Sequence, residues 1–192
     1  RRVFGHNHPL TGDAFTERAV AIGVGFINTI ANHGDGREAG IQGAVCGQHG
    51  VEQIRAAAAL PDRGAHRSHP AIGQEQRRIE AAVDLLLSAK RPIVYAGGGV
   101  INAGPNAAKL LTEFVRMTNF PCTLTLMGLG AFPANEPQYL GMLGMHGTYE
   151  ANWAMHDCDV MLAIGSRFDD RITGRLDAFS PNSKKIHIDI DP

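Results

Sequence analysis

Short apolar runs alternate with amphipathic helical patterns through the last two-thirds of this 192-residue chain. Apolar residues at helical spacing predict a helix over 74–89, and the run at 92–96 is typical of a buried strand. A second helix has Pro105 in its first turn, where a missing N–H costs little. Further strands are predicted at 121–125, 159–164 and 185–189. This alternation predicts an α/β fold with a mostly parallel sheet flanked by helices.

The first third of the chain has a different character. Residues 1–69 lack strong periodicity and form an atypical N-terminal segment, whereas 70–192 form the α/β domain. An alanine-rich run at 51–60 favours a short helix within the first segment. The functional residues are therefore expected in the second region.

Composition and charge argue against several functional classes, namely nucleic-acid-binding, membrane and cysteine-based metal-binding proteins. The net charge of −1 leaves no electrostatic footprint for nucleic acid or an anionic membrane, and no apolar run approaches the roughly 20 residues that span a bilayer. Cys46, Cys122 and Cys158 are far apart and lack a metal-binding spacing. The sequence predicts a cytoplasmic protein with no metal site and with neither nucleic acid nor membrane as a partner.

Loops rich in glycine and charged residues follow the predicted strands. Because the carboxyl ends of parallel strands meet at one edge of a sheet, these loops are expected to converge there and to bind a ligand. Gly97, Gly98 and Gly99 follow the first strand, where backbone N–H groups can face a phosphate or a flat ring. The alternative is a turn that simply needs positive φ.

The next strand is followed by Thr125, Leu126 and Met127. A hydroxyl beside apolar side chains can flank an aromatic ring system. An ordinary strand end followed by a loop is the alternative, and the spacing alone does not decide between them.

A histidine lies in the glycine-rich run at 141–148, which is predicted to be a loop. His146 precedes a helix predicted at 149–157, with Thr148 as its cap. Its imidazole can donate or accept a hydrogen bond, although a lone histidine is more often structural. His156 and His187 are interpreted as structural.

The densest charge cluster in the second region follows the strand at 159–164. Arg167 and Arg171 flank Asp169 and Asp170, so one arginine can hold a phosphate or carboxylate while an aspartate orients it. A solvated loop with weak ion pairs is the alternative. Asp189 ends the last strand, where its carboxylate can accept ribose hydroxyl hydrogens or cap the following segment.

These motifs together resemble the central domain of the catalytic subunit in the acetohydroxyacid synthase (acetolactate synthase) family of thiamine-diphosphate enzymes. The resemblance covers about 72–192 and rests on five strings in the family's order. They are Arg-Pro-Ile-Val-Tyr-Ala-Gly-Gly-Gly at 91–99, Thr-Leu-Met-Gly-Leu-Gly at 125–130, Gly-Met-Leu-Gly-Met-His-Gly-Thr at 141–148, Gly-Ser-Arg-Phe-Asp-Asp-Arg at 165–171 and His-Ile-Asp-Ile-Asp at 187–191.

The resemblance implies a Rossmann-like, six-stranded parallel sheet that binds FAD. The residues that it implies for FAD contact are Gly97, Gly98, Gly99, Thr125, Leu126, Met127, His146, Gly165, Arg167, Asp169 and Asp189. It also implies that Met145, Asp170 and Arg171 line a substrate channel, with Arg171 meeting the carboxylate of a 2-ketoacid. No catalytic residue of the family falls within this stretch.

The family condenses pyruvate with pyruvate or 2-ketobutyrate and releases CO₂ in branched-chain amino-acid biosynthesis. Thiamine diphosphate and Mg²⁺ bind to domains outside the matching stretch, so the chain alone is expected to be inactive. The resemblance further implies a homo-oligomer with a small regulatory subunit. Two alternatives are another thiamine-diphosphate enzyme, of the pyruvate oxidase or glyoxylate carboligase type, and a stand-alone nucleotide-binding module.

Overall fold

The computed structural model describes residues 17–18, 21–22, 40–46, 51–55 and 72–189. Most of the predicted N-terminal segment at 1–69 lies outside these residues, as do residues 190–192 at the end of the last motif. The division of the chain at residue 69 therefore stays a prediction. Within the described residues, helices cover both faces of one β-sheet.

The elements follow the alternation that the sequence predicts. In chain order they are β1 (Gly40–Cys46), β2 (Val51–Arg55), α1 (Ile72–Ser88), β3 (Pro92–Ala96), α2 (Gly98–Asn102), α3 (Pro105–Thr118), β4 (Cys122–Leu124), a 3₁₀ turn (Leu126–Gly128), β5 (Tyr139–Met142), α4 (Tyr149–Asp157), β6 (Val160–Ile164), α5 (Asp170–Thr173) and β7 (Lys184–Asp189). The strands β1 and β5 and the short helices α2 and α5 are not indicated by the sequence. The predicted loop at 141–148 thus begins inside a strand.

Five adjacent strands of the sheet run parallel. The strand order is β2-β1-β7-β6-β3-β4-β5, and the five strands from β7 to β5 pair in parallel. Strand β1 pairs antiparallel with both β2 and β7. The predicted parallel sheet is confirmed, but it has five parallel strands among the described residues rather than the expected six.

The short helix predicted at 51–60 is wrong at its start, where the chain forms β2. This strand pairs with β1 along its whole length, from Cys46↔Val51 to Gln42↔Arg55. Its sequence includes two β-branched residues, and the four alanines that favour a helix begin only at Ala56, outside the described residues. Residues 51–55 therefore contradict the predicted helix, whereas its alanine-rich part lies outside the described residues.

Successive residues of the central strands pack on opposite faces of the sheet. Val94 and Leu162 contribute to a core under α1 and α3, whereas Tyr95 and Ala163 contribute to a second core under α4. Both faces of these strands are buried, as expected for parallel strands between two helical layers. None of the helices among the described residues has the length and apolar character needed to cross a membrane.

Two predicted helix starts are confirmed. Pro105 is the first residue of α3, after Gly104 with φ of 89°. The Thr148 hydroxyl oxygen accepts the Ala151 N–H at 3.2 Å and caps α4. The cap fixes where the chain turns from the sheet edge into α4, and so fixes the end of the glycine-rich run.

Candidate functional site

Four loops and the end of β7 lie at the carboxyl edge of the parallel strands. The loops follow Ala96, Leu124, Met142 and Ile164, and Asp189 is the last residue of β7. We call this edge the rim. It brings together the segments that carry every predicted site residue, so the expected convergence of the loops is confirmed.

The glycines at 97–99 pack closely against the loop after β6. The Gly99 N–H donates to the Gly165 carbonyl oxygen at 2.9 Å. A Cβ on Gly97 would lie 2.6 Å from Ser166 Cα, and a Cβ on Gly99 would lie 2.7 Å from Gly165 Cα. Contact between two main chains thus explains these two glycines without a ligand. Only Gly98 faces a side chain instead, since a Cβ added there would lie 3.1 Å from Met127 Cβ.

The turn after β4 presents apolar side chains to solvent. The Thr125 hydroxyl oxygen accepts the Gly128 N–H at 2.9 Å and so holds the 3₁₀ turn. Leu126 and Met127 are 65% and 75% exposed. Thr125 therefore has a structural role as a cap, and the two exposed side chains are those available to a ligand.

Charged side chains project from the loop at 165–171, which we call the arginine loop. Arg167 is 86% exposed at its side chain and lies 3.7 Å from Asp169, measured between Nη2 and Oδ2. Asp169 accepts the Arg171 N–H at 2.9 Å and caps α5. That hydrogen bond, with the charges of both arginines, lowers the pKa of the Asp169 carboxyl. The loop thus offers an accessible guanidinium beside a fixed carboxylate.

The turn at 144–147, which we call the methionine turn, is hydrogen-bonded to the arginine loop. The Met145 N–H donates to the Arg171 carbonyl oxygen at 3.1 Å. The Asn152 side chain holds Gly144 from the other side, accepting its N–H at 2.8 Å and donating to its carbonyl at 2.9 Å. Met145 is 71% exposed and His146 is also exposed. The structure thus brings Met145 and Arg171 together.

A histidine and an aspartate from β7 complete the rim. His187 Nε2 lies 2.8 Å from the Ser166 carbonyl oxygen and 3.6 Å from Asp189 Oδ2. Since a carbonyl only accepts, this ring nitrogen carries the hydrogen. Asp189 is largely buried, with 13% of its side chain exposed. His187 thus makes a structural contact, and that contact holds the arginine loop.

Two further residues beneath the rim were missed by sequence reasoning. Tyr95 is fully buried, and its hydroxyl donates to the Arg167 carbonyl oxygen at 3.1 Å. The Phe168 ring contacts the rings of Tyr95 and His187, with centroids 5.9 and 5.3 Å apart. For His187 the sequence did contain a signal. His187 and Asp189 are two apart in a strand, so their side chains share a face of the sheet. Nothing local, however, connects Tyr95 with a carbonyl 72 residues away.

A cavity of about 200 Å³ lies between α4 and the segment at 172–180. None of the residues predicted for FAD or for the channel lines it. Three of its polar lining side chains already have partners: Asn152 bonds to Gly144, Arg175 to Asp177, and Ser180 to Ser183. The cavity is too small for a dinucleotide, so the rim remains the candidate site. No group of three potential metal ligands occurs among the described residues.

Residues 79–192 match the protein family described as "Thiamine pyrophosphate enzyme, central domain". The chain is 55% identical over 124 residues to the acetolactate synthase large subunit of Buchnera aphidicola subsp. Schlechtendalia chinensis, which covers 65% of this chain and 21% of that protein. It is 50% identical over 133 residues to the acetolactate synthase isozyme 3 large subunit of Escherichia coli K12, covering 69% and 23% respectively.

The chain spans about a fifth of the length of these curated relatives. The family match covers more than half of the chain and includes β3–β7, the helices between them and the whole rim. The chain therefore belongs to the thiamine pyrophosphate enzyme family, as a central domain.

Proposed function

We propose that this chain is the FAD-binding central part of an acetolactate synthase large subunit. The observation that carries the proposal is the convergence of glycine, arginine, carboxylate and uncovered apolar side chains on one rim. A dinucleotide with a flat ring at each end and a charged pyrophosphate between them needs this mixture. High identity to large subunits of that name supports the same assignment.

The rim residues fit FAD by their chemistry. Arg167 has a planar, exposed guanidinium that suits the pyrophosphate, and the Asp189 carboxylate suits a ribose hydroxyl. Leu126 and Met127 are apolar and more than 60% exposed, which suits a flat ring that would cover them. The remaining predicted contacts are the main chain at 97–99 and Gly165, with Thr125, His146 and Asp169 beside them.

The channel residues lie beside this site. Arg171 is 76% exposed at its side chain, and α5 and the Met145 N–H hold its main chain. Its guanidinium, with Nε 3.9 Å from Asp170 Oδ1, is accessible to solvent and can bind the carboxylate of a 2-ketoacid in a bidentate manner. Asp170, next to it, keeps the channel mouth polar, and Met145 provides an apolar wall for the short alkyl group. These residues bind and orient the substrate.

The reaction is the condensation of pyruvate with pyruvate or 2-ketobutyrate with loss of CO₂. Thiamine diphosphate, held with Mg²⁺ by the rest of the enzyme, supplies the carbon nucleophile of this reaction. FAD serves as a bound group in this domain without net redox chemistry. The relatives' description as large subunits supports a small subunit as partner. We propose that this subunit is regulatory and that the enzyme is a homo-oligomer in the cytoplasm.

Titration of the 192-residue chain with FAD tests the cofactor assignment. Bound flavin loses fluorescence, so the fluorescence decrease reports the Kd. Arg167→Ala is expected to weaken binding at least about tenfold, because it removes a charge-assisted contact with the pyrophosphate. The matched control is Arg175→Ala, since Arg175 is 79% exposed, pairs with Asp177 and lies off the rim. Equal losses in both variants, or no binding by the parent chain, would contradict the assignment.

The chain by itself is expected to catalyse no condensation. The groups that activate thiamine diphosphate belong to parts of the enzyme beyond this domain. The chain should therefore bind FAD without catalysing the condensation. A colorimetric acetolactate assay on the chain with pyruvate, thiamine diphosphate, Mg²⁺ and FAD checks this. Product above the protein-free blank would refute it.

A further inference from the structure

We infer that Tyr95 and His187 are positioning residues that hold the main chain of the arginine loop, so that Arg167 and Asp169 are presented to the cofactor. This inference rests on the proposed FAD site and adds two residues beneath it. Neither side chain is among the predicted cofactor contacts. Each acts from a neighbouring strand on a carbonyl group of the loop.

Tyr95 occupies a position where packing alone gives no reason for a hydroxyl. It is the fourth of the five residues of β3 and has 0% exposure, a place that an aliphatic residue fills in most parallel strands. A buried phenol is stabilised only when its hydroxyl has a partner. The partner is the Arg167 carbonyl oxygen, 3.1 Å away. The hydrogen bond therefore ties a core strand to the residue whose guanidinium is offered to the pyrophosphate.

His187 holds the preceding residue of the loop. Its Nε2–H donates to the Ser166 carbonyl oxygen at 2.8 Å, and the Ser166 hydroxyl donates to the Tyr95 carbonyl at 3.4 Å. Two consecutive carbonyl groups of the loop are thus bound by side chains from β3 and β7. The Gly165 N–H adds a main-chain bond to the Ile188 carbonyl at 2.7 Å. These contacts fix the loop through its backbone.

The Phe168 ring, which is 37% exposed, connects the same loop to three other rings. Its ring makes an edge contact with His187 at 5.3 Å and with Phe179 at 6.1 Å, and a tilted contact with Tyr95 at 5.9 Å. Arg167 and Asp169 flank this anchored ring in the chain. With the backbone held on both sides, their side chains leave the loop in a defined direction. A loop whose backbone is already ordered binds a ligand more tightly, because less order is lost on binding.

The test compares FAD affinity for Tyr95→Phe with that for Tyr149→Phe in the 192-residue chain, well below the unfolding temperature. Tyr95→Phe keeps the ring contact with Phe168 and removes only the hydroxyl, so affinity is expected to fall about three- to tenfold. Tyr149 is 74% exposed at the start of α4, and its substitution should change affinity less than about twofold. A role in stability alone lowers the unfolding midpoint without changing the Kd of folded protein.

A double-mutant cycle with Arg167→Ala tests whether Tyr95 acts through the arginine. The loss in Tyr95→Phe/Arg167→Ala should be smaller than the product of the two single losses. Independent losses, or full affinity in Tyr95→Phe while the parent binds FAD, would overturn the positioning role and leave the proposed function standing. Failure of the parent to bind FAD overturns both.

If Tyr95→Phe does not fold, a pair of variants at His187 tests the positioning role instead. His187→Gln can still donate an N–H to the Ser166 carbonyl, and it should keep FAD affinity within about twofold of the parent. His187→Leu removes that donor and should weaken FAD binding about three- to tenfold. Equal affinity in the two variants would overturn the inference.

Discussion

The arginine loop and the methionine turn lie side by side on the rim but are held in different ways. The arginine loop is fixed by side chains from two core strands, Tyr95 and His187. The methionine turn is held by one exposed side chain, Asn152, and by the main chain of the arginine loop itself. One segment is therefore supported by the sheet, whereas the other is supported in part by the first.

This difference implies an order of dependence. A change in the arginine loop should reach the methionine turn, because the Arg171 carbonyl accepts the Met145 N–H. A change in the turn should have a smaller effect on the arginine loop, because Tyr95 and His187 hold that loop from β3 and β7. The backbone that carries Arg167 is thus the better fixed, and the backbone that carries Met145 is the more adaptable.

The largest effect is expected from substitution at the base of the arginine loop. Gly165→Ala introduces a Cβ at a φ of 55°, only 2.7 Å from Gly99 Cα. Gly174 has φ of 54° and nothing within 4 Å of a Cβ position, so Gly174→Ala is the matched control for backbone strain alone. Gly165→Ala should cost roughly 2 kcal/mol more in unfolding free energy than Gly174→Ala, because two main chains must separate.

Urea denaturation at neutral pH measures both free energies. Equal losses in the two alanine variants would show that the close approach between 97–99 and the arginine loop relaxes at no cost. The rim would then be less rigid than the packing of its glycines indicates.

Much of this organisation could be predicted from periodicity and from one rule about parallel sheets. The strands at 92–96 and 159–164, the cap at Thr148 and the convergence of the loops follow from patterns within a few residues. Strand β2 could not be predicted in the same way, because its partner determines it and the nearby alanines favour a helix. Local patterns succeed where burial and capping are local.

The functional detail of the rim depends on contacts between distant residues. Tyr95 reaches a carbonyl 72 positions away and His187 one 21 positions away, and no spacing reveals such pairs. The glycines at 97–99 illustrate the same difficulty. A ligand and a neighbouring main chain both require glycine, and only coordinates show that Gly97 and Gly99 face the main chain at 165–166.

The second effect in size is a loss of stability at alkaline pH, which tests how deeply the support of the arginine loop is buried. Burial raises the pKa of the Tyr95 hydroxyl, with the Asp169 charge adding to it, and burial also raises the pKa of the Cys122 thiol. Above their ordinary pKa values of about 10 and about 8.5, both groups ionise in the unfolded chain and stay protonated in the folded one. Their contribution is therefore complete below those values and is lost as pH rises toward the folded-state values.

Between its ordinary pKa and its folded-state pKa, each group should lower the unfolding free energy by about 1.4 kcal/mol per pH unit. Unfolding free energies of the parent and of Tyr95→Phe between pH 7 and pH 11 measure the tyrosine part as the difference in slope above pH 10. Curves that stay parallel throughout would mean that solvent reaches the Tyr95 hydroxyl, and that the loop lacks the buried support described above.

The smallest expected effect is that of a substitution in the support of the methionine turn. It tests whether the turn depends on the arginine loop rather than the reverse. Asn152→Ala removes both hydrogen bonds to Gly144, and it should cost about 1 kcal/mol of stability, since the site is exposed. Amide exchange at Gly144, followed by NMR, should accelerate about tenfold while FAD affinity changes less than about twofold. Asn106→Ala, at an exposed position of α3, is the control.

Tyr95→Phe should accelerate exchange at Met145 as well as weaken FAD binding, because the Met145 N–H depends on the arginine loop. If Asn152→Ala weakens FAD binding as much as Tyr95→Phe does, the two segments form a single cooperative unit, and the order of dependence is wrong.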